Sequence, residues 1–282
     1  MSLDHLAESV RPAGTSTARV LLVVPTTGRR PGLLRRTLDS LLDQAGEPAD
    51  VVVIAPVDAT AVRRELADRA AEGYPVRVID DPGLGLAAAV NAGFRSAEPG
   101  HRYGNWIGED DVLLPGALRV ACAELDQHPD AVLVYGDCQH IDSDGEYLLT
   151  TRSGPRPDWL MTWGPDLLSQ PAVLFRLDAL VRVGFLDEGL RHAMDLDLLL
   201  KLRRDSRFVA SNRALAGFHR TDEPIDAARR AFAHREVELV RRRYLSAAAA
   251  ARAGWWEAPV RLISRHPRHQ VQRTVAWLPN PR

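Results

Sequence analysis

The sequence has little cysteine, no excess of either charge and no long apolar run, and each shortage excludes a class of protein. Only two of the 282 residues are cysteines, Cys122 and Cys138, and they do not form a C-x-x-C pair. Two isolated thiols predict a reducing compartment and no structural zinc site. The formal net charge of −1 argues against nucleic-acid binding, because such domains are usually strongly basic. No apolar run approaches the roughly 20 residues that a membrane-spanning helix needs.

The N-terminal segment also lacks the apolar core of a secretion signal. Residues 1–18 mix serine, threonine, proline, glycine and charged residues without a helical or strand period, which predicts a flexible tail. We therefore expect a cytoplasmic protein that binds no nucleic acid. Peripheral contact with the inner face of the membrane remains an open alternative.

Short apolar runs alternate with helical patterns over the first half of the chain. The runs predict buried strands at residues 20–24, 51–54, 76–79, 103–107 and 131–135. Between these strands, apolar residues recur at helical spacing, as at Leu34, Leu38 and Leu41. We expect Leu86 to face the core from its helix, and Pro115 to open the helix after the fourth strand. This alternation predicts an α/β fold with a mostly parallel sheet flanked by helices. Ligands of such sheets bind at the carboxyl ends of the strands.

Beyond residue 145 the alternation becomes less regular. We expect strands at 172–175 and 214–219, helices at 177–183 and 195–203, and a long amphipathic helix at 224–251. The chain then divides into the tail, a main domain at 19–222 and a C-terminal helical arm at 223–282. The apolar stripe and arginine-rich face of the arm favour packing on the main domain or a homodimer contact. Docking on anionic lipid remains open.

Three consecutive acidic residues, Glu109, Asp110 and Asp111, follow the fourth predicted strand. Adjacent carboxylates at a buried strand end repel one another, which costs stability unless a cation joins them. Oxygen ligands of this kind suit Mg²⁺ or Mn²⁺, which also bind substrate phosphates. The alternative is a solvated acidic turn that caps the next helix.

A glycine motif offers a different interpretation of the same sheet. The stretch Gly83-Leu-Gly-Leu-Ala-Ala88 fits the G-x-G-x-x-A pattern of dinucleotide-binding proteins. That motif normally follows the first strand, whereas this one follows the third. The glycines are therefore better explained by close approach of backbone to a ligand, or by a tight turn.

Other polar residues have both local and functional interpretations. Asp195 opens a helix, where a carboxylate usually acts as a cap, and Asp197 lies on a different helix face. His219 ends an apolar strand, where a lone histidine is more often structural. Arg29 and Arg30 follow the first strand, where they could reach phosphate or be exposed helix-flanking residues.

Several segments occur in the order in which one enzyme family carries them. They are Leu22-Val-Val-Pro-Thr26 with Arg29, Leu38-Asp-Ser-Leu-Leu-Asp-Gln44, Gly85-Leu-Ala-Ala-Ala-Val-Asn-Ala-Gly93, Ile107-Gly-Glu-Asp-Asp111 with Pro115, Tyr135-Gly-Asp137, Gln170-Pro171 and Ala193-Met-Asp-Leu-Asp-Leu198. Together, over residues 19–222, they resemble glycosyltransferase family 2. The resemblance implies the nucleotide-sugar-binding GT-A fold for the main domain.

The resemblance also implies roles for individual residues. Asp110 becomes a direct ligand of Mg²⁺ or Mn²⁺, with Asp111 and His219 as further ligands. Asp195 becomes the base that deprotonates the acceptor hydroxyl. The residues expected to contact the donor are Pro25, Thr26, Arg29, Asp58, Gly85, Asn91, Glu109 and Asp111.

Two departures from the family pattern concern the nucleotide. The family's second strand usually ends in Asp-Asp-Gly-Ser, whereas the aligned stretch here is Ala55-Pro-Val-Asp58. The first acid of the family's D-x-D motif, which often meets the ribose, is replaced by Gly108. Asp58 is the acid left to contact the base, and the identity of that base stays undetermined.

The resemblance implies an inverting glycosyltransferase that moves a sugar from a nucleotide-diphosphate sugar to a sugar or lipid-linked acceptor. A lid around residues 150–170, with Trp159 and Trp163, would exclude water from the reaction. Three alternatives remain open at this point. They are a nicotinamide-dependent oxidoreductase, a nucleotidyltransferase and a non-catalytic subunit that binds sugar nucleotides.

Overall fold

The computed structural model describes residues 17–153, 168–204, 206–220 and 227–245. Its strands are β1 (Val20–Pro25), β2 (Ala49–Ala55), β3 (Val76–Asp80), β4 (Tyr103–Trp106), β5 (Val112–Leu113), β6 (Ala131–Ile141), β7 (Tyr147–Thr151), β8 (Val173–Arg176) and β9 (Arg207–His219). Its helices are α1 (Pro31–Leu42), α2 (Thr60–Ala71), α3 (Leu86–Arg95), α4 (Ala117–Gln127), α5 (Leu177–Val183), α6 (Met194–Arg203) and α7 (Ala227–Tyr244).

Within the described ranges, nine strands form one sheet in the order β3-β2-β1-β4-β8-β6-β9-β5, and β7 pairs with β6. The pairs β3–β2, β2–β1 and β1–β4 are parallel, as is the long β6–β9 pair. β8 is antiparallel to both β4 and β6. The predicted α/β fold with a mostly parallel sheet flanked by helices is confirmed. β1, β2 and β4 therefore end at one edge of the sheet.

Two apolar layers cover the sheet, and β1 contributes to both. Val20, Leu22 and Val24 pack with α1, α2 and α4, whereas Leu21 and Val23 pack with α3, α5 and α6. All five side chains are fully buried. A side chain of this type stabilises the fold by about 1.5–3 kcal/mol when it leaves water. The continuous apolar run is thus explained by burial on both faces.

Several boundaries differ from those that the sequence predicted. α4 begins at Ala117 rather than at Pro115, because Gly116 adopts the left-handed conformation at φ +73° and cannot belong to the helix. Leu86 is 47% exposed, since the buried face of α3 is formed by other residues, among them Val90 and Phe94. The sequence also missed β5 and β7 and predicted too short a β6 and β9.

The arm predicted at 223–282 contributes α7, which lies within the helix expected at 224–251; residues 224–226 and 246–251 are outside the described ranges. Glu236 and Val240 on this helix are buried, and Val240 belongs to the same apolar layer as α3 and α6. This part of the arm packs on the main domain, as the sequence favoured. Residues 1–16 of the predicted tail, the two lid tryptophans and residues 246–282 lie outside the described residues. Among the residues that are described, no helix has the length and apolarity to cross a membrane.

We predict that Gly93→Ala destabilises the protein although alanine favours helices. α3 crosses β1 at this glycine, and an added Cβ would lie 2.3 Å from Cγ1 of Val23. Overpacking of this kind costs about 1–3 kcal/mol in the free energy of unfolding. Urea unfolding measures it. Gly32→Ala in α1 is the matched control, because its Cβ would meet nothing within 4 Å. Equal stability of the two variants would contradict the close packing of α3 on β1.

Candidate active site

The loop after β1 is tied to the acidic segment by Glu109, whose side chain is buried. Thr26 donates its hydroxyl hydrogen to Oε2 of Glu109. The backbone N–H of Thr27 donates to the same oxygen at 3.2 Å, and Nε of Arg30 donates to Oε1 at 3.0 Å. Glu109 is therefore a structural link between the ends of β1 and β4, and its oxygens already have donors.

Asp110 lies at the solvent side of this link, with 20% of its side chain exposed. Nη1 of Arg30 donates to Oδ2 of Asp110 at 2.8 Å, and Nδ1 of His219 lies 3.5 Å from the same oxygen. The guanidinium of Arg30 thus bridges Glu109 and Asp110. It is the cation that offsets the repulsion expected from the sequence. Arg30 was noticed as a phosphate candidate, but its pairing with the acids was missed.

Asp111 is buried and holds β9 and α1 to the acidic segment. Its Oδ1 accepts the backbone N–H of His219 at 2.9 Å, and its carbonyl oxygen accepts the hydroxyl of Thr37 at 2.7 Å. Burial raises the pKa of Asp111 to about 7; the His219 hydrogen bond opposes this shift and the charge of Asp110 adds to it. This carboxyl therefore changes its protonation near neutral pH.

His219 is the strongest indication of a ligand at this edge. Its side chain is 5% exposed, and neither ring nitrogen has a hydrogen-bond partner among the described residues. A buried imidazole without a hydrogen bond costs free energy, and a bound ion or water is one of the few explanations for such a group. The pair of Asp110 and His219 offers oxygen and nitrogen ligands of the types that bind divalent ions. No group of three or more His, Cys, Asp or Glu side chains in the described ranges is arranged to hold a metal. A cation here would therefore take its remaining ligands from water or substrate.

Asp195 occupies the first turn of α6, one residue after the helix begins at Met194. Its Oδ1 accepts the backbone N–H of Leu196 at 2.8 Å. Burial raises the pKa of Asp195 above the ordinary value, against the opposing effect of backbone hydrogen bonds. Within the described residues, no hydrogen bond or ion pair joins it to Asp110 or His219. The carboxylate is a helix-start residue with a raised pKa, which suits either a cap or a base.

Asp197 has a different environment, as its helix position predicted. Its side chain is fully buried, and Nζ of Lys201 lies 2.8 Å from Oδ2. The hydroxyl of Tyr244 on α7 donates to Oδ1 at 2.8 Å. Asp197 therefore joins α6 to α7. Lys201, the single lysine of the chain, belongs to this link.

The remaining predicted donor residues lie in several environments. Pro25 ends β1, and Gly85 precedes α3 with φ +102°, a conformation that glycine adopts most easily. Arg29 and Asp58 are exposed in the loops after β1 and β2. Asn91 has hydrogen-bond partners within the protein. Its amide donates to the carbonyl of Leu186 at 3.0 Å and to Glu188 at 2.8 Å. The amide hydrogens that would contact the donor are thus bound within the protein.

The chain is similar in sequence to several bacterial proteins. Over 193 residues it is 31% identical to the O-antigen biosynthesis protein RfbC of Myxococcus xanthus, which covers 65% of this chain and 14% of that protein. It is 23% identical to an uncharacterized glycosyltransferase of Haemophilus influenzae, over 67% of this chain and 63% of that one. The chain thus spans only part of the length of these relatives.

Solved structures share the fold at low sequence identity. TarS 1–349 of S. aureus in complex with UDP-GlcNAc has a TM-score of 0.63 and 15% identity, over 83% of this chain and 70% of that chain. A mannosyltransferase, PcManGT from Pyrobaculum calidifontis in complex with GDP-Man and Mn²⁺, has a TM-score of 0.63 and 17% identity. That match covers 95% of this chain and 76% of the mannosyltransferase chain.

The family relationship rests on the sequence itself. The model of glycosyl transferase family 2 matches residues 21–176, more than half of the chain. The matched segment begins in β1 and ends with β8, so it contains the acidic residues and the loops at the carboxyl edge of the sheet. The chain belongs to glycosyl transferase family 2.

Proposed function

We propose that the chain is an inverting glycosyltransferase that uses a nucleotide-diphosphate sugar and a divalent cation. The observation that carries this proposal is the buried His219 ring, which has no hydrogen-bond partner among the described residues and lies beside Asp110 at the carboxyl edge of the sheet. Family membership supports sugar transfer, and the two structural neighbours were solved with UDP-GlcNAc and GDP-Man. Transfer to a sugar or lipid-linked acceptor of a surface polysaccharide fits the relative from O-antigen biosynthesis. A cytoplasmic location, peripheral membrane contact and a homodimer stay predictions.

The donor site combines the acidic segment with the loop after β1. Asp110 and His219 would hold Mg²⁺ or Mn²⁺, with Asp111 fixing the backbone of His219. When bound, such an ion offsets the charge that builds on the leaving diphosphate. Arg30, held at Glu109, and Arg29 in the same loop would bind phosphate oxygens of the donor. Pro25, Thr26, Asp58 and Gly85 line the same edge.

Asp195 is the proposed base. A sugar hydroxyl is a poor nucleophile at neutral pH, and a carboxylate with a raised pKa accepts its proton more readily than an ordinary aspartate. The acceptor oxygen bonds to the anomeric carbon as the bond from that carbon to the diphosphate breaks on the opposite face. The electron pair leaves with the diphosphate, and the hydroxyl proton passes to Asp195. This geometry inverts the anomeric configuration.

The other candidate functions have weaker support. A nicotinamide oxidoreductase would carry its glycine motif after β1, whereas Gly83 and Gly85 follow β3. A nucleotidyltransferase usually has a glycine-rich basic loop after the first strand, and the loop here is tied to Glu109 instead. A non-catalytic binding subunit is distinguished by the turnover experiment on Asp195 below.

We predict that nucleoside diphosphates bind tightly only with a divalent ion, because the acidic segment repels a bare diphosphate. Calorimetry with UDP and GDP should show at least about tenfold tighter binding in Mn²⁺ than in chelator, about 1.4 kcal/mol. His219→Ala should remove most of this gain and leave binding in chelator unchanged. His128→Ala, at the end of α4, is the control and should behave as wild type. Equal affinity in Mn²⁺ and chelator would remove the metal from the proposal.

We predict that Asp195→Asn lowers turnover about 10²–10⁴-fold, the usual range for a lost general base, with little change in donor affinity. Release of UDP or GDP from UDP-GlcNAc or GDP-Man, with a panel of saccharide acceptors, measures turnover. Wild-type turnover should fall as the pH drops through the raised pKa of Asp195, since only the ionised carboxylate accepts a proton. This acidic limb should disappear in Asp195→Asn.

Two control variants define this result. Asp178→Asn, at an exposed position in the first turn of α5, should have no effect. Asp197→Asn should lower stability by roughly 1–3 kcal/mol, because it weakens buried bonds to Lys201 and Tyr244. If Asp195→Asn keeps wild-type turnover, Asp195 serves only the start of α6 and is not the base. Absence of turnover in the wild-type chain would instead favour the non-catalytic alternative.

A further inference from the structure

Glu236 on α7 makes an unusual set of contacts with the segment that precedes α6. Its side chain is buried, and its carboxylate accepts the backbone N–H groups of three consecutive residues, Arg191, His192 and Ala193. The bonds from Arg191 and Ala193 are 3.0 and 2.8 Å long. Ala193 is the N-cap residue that precedes α6, and its carbonyl accepts the N–H of Asp197. One side chain of α7 therefore holds the backbone at the start of α6.

The carboxylate of Glu236 is ionised in this contact. Burial acts to raise its pKa, but the N–H groups of Arg191, His192 and Ala193 act in the opposite direction, and the resulting pKa is below the ordinary value. Hydrogen bonds to an ionised acceptor are about twice as strong as neutral ones. The three bonds thus hold residues 191–193 more strongly than the same number of hydrogen bonds to a neutral acceptor would.

A second link from α7 reaches the other side of the same turn. The hydroxyl of Tyr244 donates to Asp197 at 2.8 Å, and Arg243 pairs with Asp187 at 2.8 Å. Asp195 lies between the two links, two residues after Ala193 and two residues before Asp197. Glu236 therefore binds the backbone before the proposed base, and Tyr244 binds the side chain of the residue two positions after it.

We propose that Glu236 is a positioning residue for Asp195, and that α7 is part of the active site although it lies outside the family match at residues 21–176. This inference rests on the proposed function. A base must lie within hydrogen-bond reach of the proton that it accepts. An error of about 1 Å in such a position can cost roughly 100-fold in rate. Glu236 acts by fixing the backbone from which the Asp195 side chain extends.

The test compares variants at three positions of α7. Glu236→Gln keeps the side-chain length but loses the charge and one acceptor oxygen. Tyr244→Phe removes only the hydroxyl that binds Asp197. Leu239→Ala is the matched control, because this side chain is 60% exposed on the same helix. Turnover, donor affinity in Mn²⁺ and amide hydrogen exchange are measured for each, with the UDP-GlcNAc and GDP-Man assay described above.

We expect Glu236→Gln to lower kcat about 10- to 100-fold, the cost of a misplaced catalytic group, with donor affinity within about twofold of wild type. Exchange at Arg191, His192 and Ala193 should accelerate, since their N–H groups lose a charged acceptor. Tyr244→Phe should cause a smaller loss of kcat, and Leu239→Ala should leave all three measurements unchanged. Glu236→Asp, which keeps the charge, should recover part of the rate.

A double variant separates positioning from general destabilisation. If Glu236 acts through Asp195, adding Glu236→Gln to Asp195→Asn should cause no further loss of kcat, because the two residues act as one unit. A further loss of the same factor would show that Glu236 serves the fold generally and would overturn the inference. Wild-type kcat in Glu236→Gln, with Asp195→Asn inactive, would also overturn it and leave the proposed function intact. An active Asp195→Asn would instead reject the proposed base, and the inference with it.

Discussion

Three consecutive carboxylates lie at the end of a buried strand, and the surrounding structure depends on how their repulsion is offset. Charges this close repel strongly wherever water is partly excluded, so each acid needs its own compensation. Glu109 takes donors from the loop after β1, Asp111 takes the backbone N–H of His219, and Asp110 takes the guanidinium of Arg30. These bonds join the ends of β1, β4 and β9, which are far apart in the sequence. The same charge that would bind a cation therefore also assembles the edge of the sheet.

The three acids divide structural and ligand roles between them. Glu109 and Asp111 are buried and have donors from the protein, whereas Asp110 is the more exposed acid and faces a histidine with no hydrogen-bond partner among the described residues. A carboxylate that can exchange a guanidinium for another cation, next to a nitrogen ligand, is suited to reversible binding. This division explains why only one of the three acids is proposed as the direct ligand.

The site also joins two parts of the chain with different relationships to the family. The segment matched by the family model, residues 21–176, supplies the acidic edge and the loops around it. His219, Asp195 and Glu236 come from the segment that follows. The later segment reaches the sheet through β9 and packs on it through α6 and α7. The proposed donor side thus takes its acids from the matched segment and His219 from the later one, and the proposed base is held by a helix outside the match.

Much of the fold could be predicted from sequence because its signals are local. The apolar run at Val20–Pro25, the leucine spacing of α1 and the glycine that ends α5 each depend on neighbours within a few residues. The acidic triplet was recognised in the same way. The full lengths of β6 and β9 were harder to predict, because both strands contain polar residues and lack a continuous apolar run. Their pairing with each other stabilises them, and that pairing is not visible in either sequence segment.

Only the tertiary structure decided which partners the polar side chains have. The pairing of Arg30 with Asp110 joins residues 80 positions apart, and that of Asn91 with Leu186 joins residues 95 positions apart. Glu236 looked like one more polar residue of an amphipathic helix, and nothing near it in sequence indicates the three N–H groups that it binds. The sequence alone determined most of the strands and helices and the acidic triplet. The partner of each charged group could be identified only from the tertiary structure. A hydrogen bond depends on the distance and angle between two groups, and a pair far apart in the chain leaves no periodic pattern in the sequence.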